Sequence, residues 1–248
     1  ASTRLAELAA GNVDIILNVP PDNVDEVSSQ GKASVKAVEG ARVAAIWFNT
    51  LSNPTLAKQE VRQALNFAID RDIITQQVMG GFAVPVATIV PPYFTGYNPD
   101  LKPIPYDPDK AKSLLEAAGV PADFTIEMLL PVGRYMLAEQ VTQEVANQLS
   151  KVGVTVKLNA VEFGVFAQQT QARDIPDLMY AAWGSPLLNP IDMLETCVKS
   201  GTTNFSFYSN PAVDAAIDKA ASTVGDEHVQ ALQAVEKLIY DDPPFIFL

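Results

Sequence analysis

The stretch that most constrains this chain runs from Phe124 to Ala160. Phe124, Ile126, Met128 and Leu130 recur at every second position, the period of a strand. Pro131-Val132-Gly133-Arg134 then turns the chain. Leu137, Val141, Val145, Leu149 and Val152 follow at helical spacing, which predicts a helix from about Tyr135 to Val152 stopped by Gly153. Val154, Val156, Leu158 and Ala160 alternate again. Strand, full helical crossover and strand normally build a parallel pair with a right-handed connection. A sheet with helices against it is therefore expected, which is the α/β class.

The rest of the chain fits around that unit. Arg4 to Ala10 reads as a short helix ended by Gly11, Val13 to Val19 as an apolar strand stopped by Pro20-Pro21, and Asp22 to Val27 as a brief helix. Strands are expected at Val35 to Val38 and Val43 to Phe48, giving a βαβ rhythm. After a turn at Asn53-Pro54, Val61, Ala64, Leu65, Ala68 and Ile69 form one apolar helical stripe, with Arg62, Gln63, Asn66 and Asp70 expected on the other side. Asp72 to Met79 continues for a turn or two. The proline-dense passage from Ala83 to Pro105 excludes helix and central strand and is expected to wrap the surface in extended form. Asp107 and Pro108 open a helix that Gly119 closes. Further on, helices are expected at Phe163 to Ala172, Ile191 to Val198, around Val213 to Ala220 and from Asp226 to Tyr240. Strands are expected at Leu178 to Trp183 and Phe245 to Leu248.

Charge and residue types narrow the chemistry. With 17 Lys and Arg against 29 Asp and Glu, the net charge of −12 argues against a phosphate backbone or an anionic membrane surface as partner. Cys197 is the only cysteine and His228 the only histidine, too few for a usual zinc site, a Cys–His pair elsewhere or a disulfide within the chain. No nucleophile elbow and no phosphate-binding glycine loop occurs. Asp241-Asp242 and the Asp70/Asp72 pair read as helix-end polar residues, although paired carboxylates are also what a glycosidase needs. Binding needs a concavity with a few convergent polar groups, and two strand ends offer them. Arg134 follows one strand and is either an ordinary exposed residue at a helix start or a guanidinium reaching into a cleft. Trp183 ends another strand and begins WGSPLLNP, as a core residue or as a flat platform.

The words FNT followed by VRQALNFAIDR, and GGFAVPVATIVPPYFTGYNPDL followed by YDPDKAKSLLEAAGV, resemble the extracytoplasmic solute-binding proteins of ABC importers, the dipeptide, oligopeptide and nickel-binding family (family 5). The resemblance implies a type II periplasmic-binding-protein-like α/β fold. Residues 1–47 would be a remnant of the first lobe, a βαβ segment and hinge strand, and residues 48–248 the second, ligand-binding lobe with a mixed sheet and flanking helices. Both ends are then expected to be truncated. The resemblance also implies no catalysis, cofactor or metal. Its partners would be a small solute (a peptide, oligosaccharide or metal chelate) and ABC permease subunits, with no nucleic acid, and the full-length protein would be periplasmic or extracellular and membrane-tethered as a lipoprotein. The ligand-binding residues it implies are Arg134, Trp183, Gly184, Ser185 and Pro186. Arg134 matches the arginine that holds a peptide's terminal carboxylate. Pro186 stands where peptide-binding members carry the aspartate that pairs with the α-amine, so Arg134 is the only charged residue that the resemblance places in the cleft. Two other classes stay open, a carboxylate-based hydrolase and a receptor-like lobe acting as a sensor or protein-interaction module.

Overall fold

A computed structural model describes residues 2–31, 33–201 and 207–248. In chain order it contains α1 (Ser2–Ala10), α2 (Val24–Ser29), β1 (Val43–Phe48), α3 (Gln59–Phe67), α4 (Pro108–Ala117), β2 (Thr125–Val132), α5 (Ala138–Ser150), β3 (Thr155–Glu162), α6 (Phe163–Gln171), β4 (Leu178–Trp183), α7 (Pro190–Cys197), α8 (Pro211–Ser222), α9 (Gly225–Asp241) and β5 (Phe245–Phe247). The strands form one mixed sheet in the order β3-β2-β4-β1-β5. β2 is parallel to β3 and to β4, whereas β1 is antiparallel to β4 and β5. The expected crossover is present, with α5 linking the parallel β2 and β3.

Because side chains alternate along each strand, the sheet has two buried faces. Ile46, Phe48, Met128, Leu130 and Leu178 pack against Val61 and Leu65 of α3, Leu115 of α4, and Val141, Val145 and Leu149 of α5. Trp47, Leu129, Met179 and Ala181 pack on the other side against Phe166 of α6, Leu194 of α7, Val213 and Ile217 of α8, and Leu232 and Val235 of α9. The result is a three-layer sandwich with the central strands dry on both faces.

The helix α3 carries a polar cluster that its periodicity does not place. Arg62 and Asn66 are expected towards solvent, yet both are buried. Helical polarity alone sends a charged residue outward, but here the terminal strand supplies acceptors. Arg62 Nε donates to the Pro243 carbonyl at 2.9 Å, and its Nη2 pairs with Asp242, which also accepts from Tyr208 and Asn210. Asn66 Nδ2 donates to Phe245 O at 2.8 Å while its Oδ1 accepts from Phe247 N, so one amide pairs with β5 as a neighbouring strand would. Arg71 donates to Phe247 O at 2.7 Å and Ile104 O at 2.8 Å, and burial lowers its pKa to about 10.

The N-terminal expectations need correction. Residues 13–19 and 35–38 form no strand, and Ile15 (82% exposed), Leu17 (73%) and Val38 (89%) stand in solvent. An apolar run makes a strand only where a partner edge takes its N–H and C=O groups, and among the described residues none does. The expected βαβ segment is therefore two short helices and one strand. That strand, β1, is hydrogen-bonded on both sides, so a division at residue 47 cuts through the sheet. The α5 helix begins at Ala138 rather than Tyr135, because Leu137 takes a left-handed φ of 51°. Residues 73–78 form a π-helical turn.

The proline-rich passage has neither helix nor strand, as expected, yet it is more than a surface wrapping. Ile89, Val90, Phe94 and Ile104 are buried in the α8–α9 side of the core. Gly96, at φ 84°, lies so close to α9 that a Cβ would stand 2.3 Å from the Leu232 side chain. Nearby, Thr88 Oγ1 donates to the buried carboxyl of Glu236 on α9 at 2.5 Å. Burial pushes the Glu236 carboxyl from the ordinary 4.5 up to about 7, against the opposing pull of Thr88 and the Asn98 backbone. The folded carboxyl thus keeps its proton where the unfolded one has lost it. Its contribution to stability falls as pH rises from about 4.5 to 7 and is flat above, by about 3 kcal/mol at most. Glu236→Gln should remove that slope: its melting temperature should exceed the wild type's at pH 7.5 by clearly more than at pH 5. An equal difference at both pH values would mean that Glu236 ionises normally.

Candidate functional site

Strand direction brings the chemistry to one edge of the sheet. The carboxyl ends of the parallel strands β2, β3 and β4 point the same way, and antiparallel β1 starts where β4 ends, with Val43 opposite Trp183. In open α/β sheets ligands bind outside the carboxyl ends of the strands. Here that edge carries Arg134 beyond β2, Phe163 beyond β3, Trp183 at the end of β4 and Arg42 just before β1.

A cleft of about 690 Å3 opens there, within the size range of small-molecule sites. Its lining includes Arg134, Tyr135 and Ala138 to Gln140 on one side, Arg42, Tyr180 and Ala182 on the other, and Arg4 and Asn18 at the N-terminal rim. The left-handed Leu137 holds residues 133–137 out of the helix, so α5 starts inside the cleft. No side chain caps α5, and its first three residues all line the cleft. Their N–H groups and the positive end of the helix dipole favour an anion.

Arg134 is exposed and makes no ion pair among the described residues. Its guanidinium lies 4.9 Å from the Phe163 ring centroid and 5.7 Å from that of Tyr135. Rings hold a guanidinium by its face and leave its N–H edge for planar, bidentate bonding to a carboxylate. Tyr180, on the cleft floor, meets Tyr135 edge-on at 5.7 Å, and burial raises its phenol pKa so that it stays neutral.

The remaining expected site residues sit differently. Trp183 packs with Met179 and Ala181 against the α8–α9 face, whereas the cleft is lined by Tyr180 and Ala182 from the opposite face of β4. Ser185 is buried, and its Oγ accepts from the backbone N–H of Leu187 at 3.3 Å and Asn189 at 3.2 Å, which shapes the loop from within. Pro186 is exposed with Leu187 and Leu188 on the rim. Gly184 acts through its backbone, since a Cβ there would come 2.3 Å from Ala41 O and 3.1 Å from Arg42 Cα. The structure thus brings Arg134 to the cleft but not the segment 183–186, although both stand on the same edge.

The resemblance brings Arg134 alone among charged residues to the cleft, and the structure adds others. Arg4, Arg42 and Glu139 line it too. No local pattern marks Arg42, because an arginine before a strand reaches this edge only if the strand runs antiparallel to β4, which periodicity does not reveal. Among the described residues, no three His, Cys, Asp or Glu side chains come together as metal ligands, and no helix is long and apolar enough to cross a membrane.

A mixed sheet layered by helices on both faces is the α/β architecture of the periplasmic-binding-protein class. The chain belongs to the bacterial extracellular solute-binding proteins, family 5, whose middle-region profile matches residues 1–205. It is 29% identical to the glutathione-binding protein GsiB of Pectobacterium atrosepticum over all of this chain and 49% of that one. It is 27% identical to heme-binding protein A of Haemophilus influenzae over 99% of this chain and 46% of that one. Among solved structures, DppA from Helicobacter pylori in complex with the peptide STSA superposes with a TM-score of 0.87 at 24% identity, covering all of this chain and 49% of that one. NikZ from Campylobacter jejuni in complex with Ni(L-His) superposes with a TM-score of 0.85 at 25% identity, covering all of this chain and 52% of that one. The chain spans about half the length of the curated relatives it matches.

The tight approach of Gly184 to residues 41–42 gives a direct test of how the edge is held. Gly184→Ala forces backbone apart at the β1–β4 junction and should destabilise the fold by about 1–3 kcal/mol. Urea unfolding at matched pH measures the change, and a loss below about 0.5 kcal/mol would show that the junction yields freely.

Proposed function

We propose that this chain is part of the substrate-binding component of an ABC importer, which captures a small solute bearing a carboxylate and delivers it to membrane permease subunits. The observation that carries the reading is Arg134, ring-held and without an ion pair among the described residues, beside the uncapped start of α5. Both favour an oxyanion in the same cleft. Relatives that bind glutathione, heme or peptides support the class of a small non-covalently bound solute. Residues 43–248 form the lobe described above, and residues before 43 belong with a first lobe that closes over the cleft. The site is periplasmic or extracellular, in keeping with the family, and a membrane tether on the full-length protein holds it near the permease.

Within this reading Arg134 grips the carboxylate, and Tyr180 and Tyr135 supply apolar surface with a neutral hydroxyl at its margin. Pro186 and the two exposed leucines form the neighbouring rim and offer contacts once a second lobe approaches, on a loop shaped by Gly184 and the buried Ser185 next to Trp183. Capture needs no bond making, only closure of two lobes that favours the liganded form. A hydrolase finds less support, because the one carboxylate lining the cleft is Glu139, exposed on the first turn of α5 and facing no second acid there.

The test uses the full-length receptor and N-acetyl-Ala-Ala, a solute with one carboxylate and no amine. Arg134→Ala should weaken calorimetric affinity by about 2 kcal/mol or more. The amide-capped form, lacking the carboxylate, should bind wild type and variant alike. Unchanged affinity for the acid in Arg134→Ala would overturn the role of Arg134.

A further inference from the structure

In a chain with 12 more acidic than basic residues, three arginines nevertheless line one cleft. Arg4, Arg42 and Arg134 face a single carboxylate, Glu139, in that lining, and none of the three makes a salt bridge among the described residues. Surface arginines in so acidic a protein find carboxylates easily, and leaving three unpaired at one concavity concentrates positive potential there. One oxyanion bound by Arg134 and the α5 start does not account for Arg42.

Arg42 is positioned, not loose. Its Nη1 donates to the Ala182 carbonyl at 3.1 Å, tying the guanidinium to the end of β4 across the β1–β4 pair. Its remaining N–H groups make no other hydrogen bond among the described residues. The close contact of Gly184 with the backbone at 41–42 fixes where the side chain starts. Arg134 stands on the opposite wall, beyond β2, and β2 and β4 are adjacent strands. Arg4 adds charge from the rim and holds the Asn18 carbonyl at 3.4 Å. Glu39 and Arg42 both line the adjoining apolar cavity, where Glu39 lowers the positive potential without an ion pair to Arg42 among the described residues.

We infer that Arg42 is a second oxyanion anchor, and that the solute is a dianion with two acidic groups held apart, one on Arg134 and the other on Arg42. This rests on the proposed binding function and narrows it to a substrate class. Glu139, on the Arg134 wall, repels a third acidic group and accepts an amine, so a solute with two acids and one ammonium also fits.

The experiment is calorimetry on the full-length receptor with three probes: N-acetyl-Ala-Ala with one carboxylate, N-acetyl-Glu-Ala with two, and N-acetyl-phosphoserine-Ala with a phosphate as the second acid. Wild type should bind at least one of the two-acid probes ten-fold or more tightly than the monoanion, and the better of the two identifies the second oxyanion as carboxylate or phosphate. Arg42→Met should abolish that preference, lowering dianion affinity much more than monoanion affinity, and Arg42→Lys should keep part of it. Thermal melting of each variant checks that the lobe is folded. No preference in the wild type, or a preference that survives Arg42→Met, overturns the second anchor and leaves Arg134 standing. Binding of none of the three probes overturns both the dianion class and the carboxylate reading beneath it.

Discussion

The terminal strand depends on side chains from a helix about 180 residues earlier. β5 is three residues long, pairs with β1 on one side only, and would expose a bare edge on the other. Asn66 fills that edge with an amide that both donates and accepts, and Arg71 and Arg62 take further carbonyls from the same segment. All three are buried, so their cost of desolvation is met by hydrogen bonds that only a correctly placed β5 provides. With β5 held, β1 is paired on both sides, and β1 in turn positions Arg42 against β4. The cleft at the sheet's carboxyl edge thus rests on a polar cluster well inside the protein.

Much of the architecture can be read from periodicity. The β2–α5–β3 unit is legible because period 2, period 3.6 and period 2 follow one another without interruption, and α4 is legible from Asp107 and Pro108 at its start. What periodicity does not report is partnership. The apolar run at 13–19 meets no sheet edge, and Arg62 and Asn66 look outward on a helical wheel until β5 is placed beside them. The proline-rich passage is read correctly as irregular, but its buried Ile89, Val90, Phe94 and Ile104 are spaced by no regular period.

The site is legible in part for the same reason. Arg134 follows a strand in a parallel unit, so its place at the carboxyl edge comes from local sequence. Arg42 and Tyr180 reach the cleft through strand order and direction, which are set by distant pairings. The segment 183–186 shows a third case: a strand end at the right edge whose side chains alternate to the wrong face. Trp183 lies one residue out of step with Tyr180 and Ala182, and this parity decides that its ring joins the core rather than the cleft.

The decisive question is whether a solute occupies the cleft between Arg134 and β4. Amide hydrogen exchange on the full-length protein, with and without saturating solute, reads this whatever pose the solute takes. Binding should slow exchange at residues 133–140 and 180–182 and around 42–44, with little change in the already protected α3 and β5. Protection confined to the α8–α9 side of the sheet, with residues 133–140 unchanged, would contradict a solute site at the carboxyl edge.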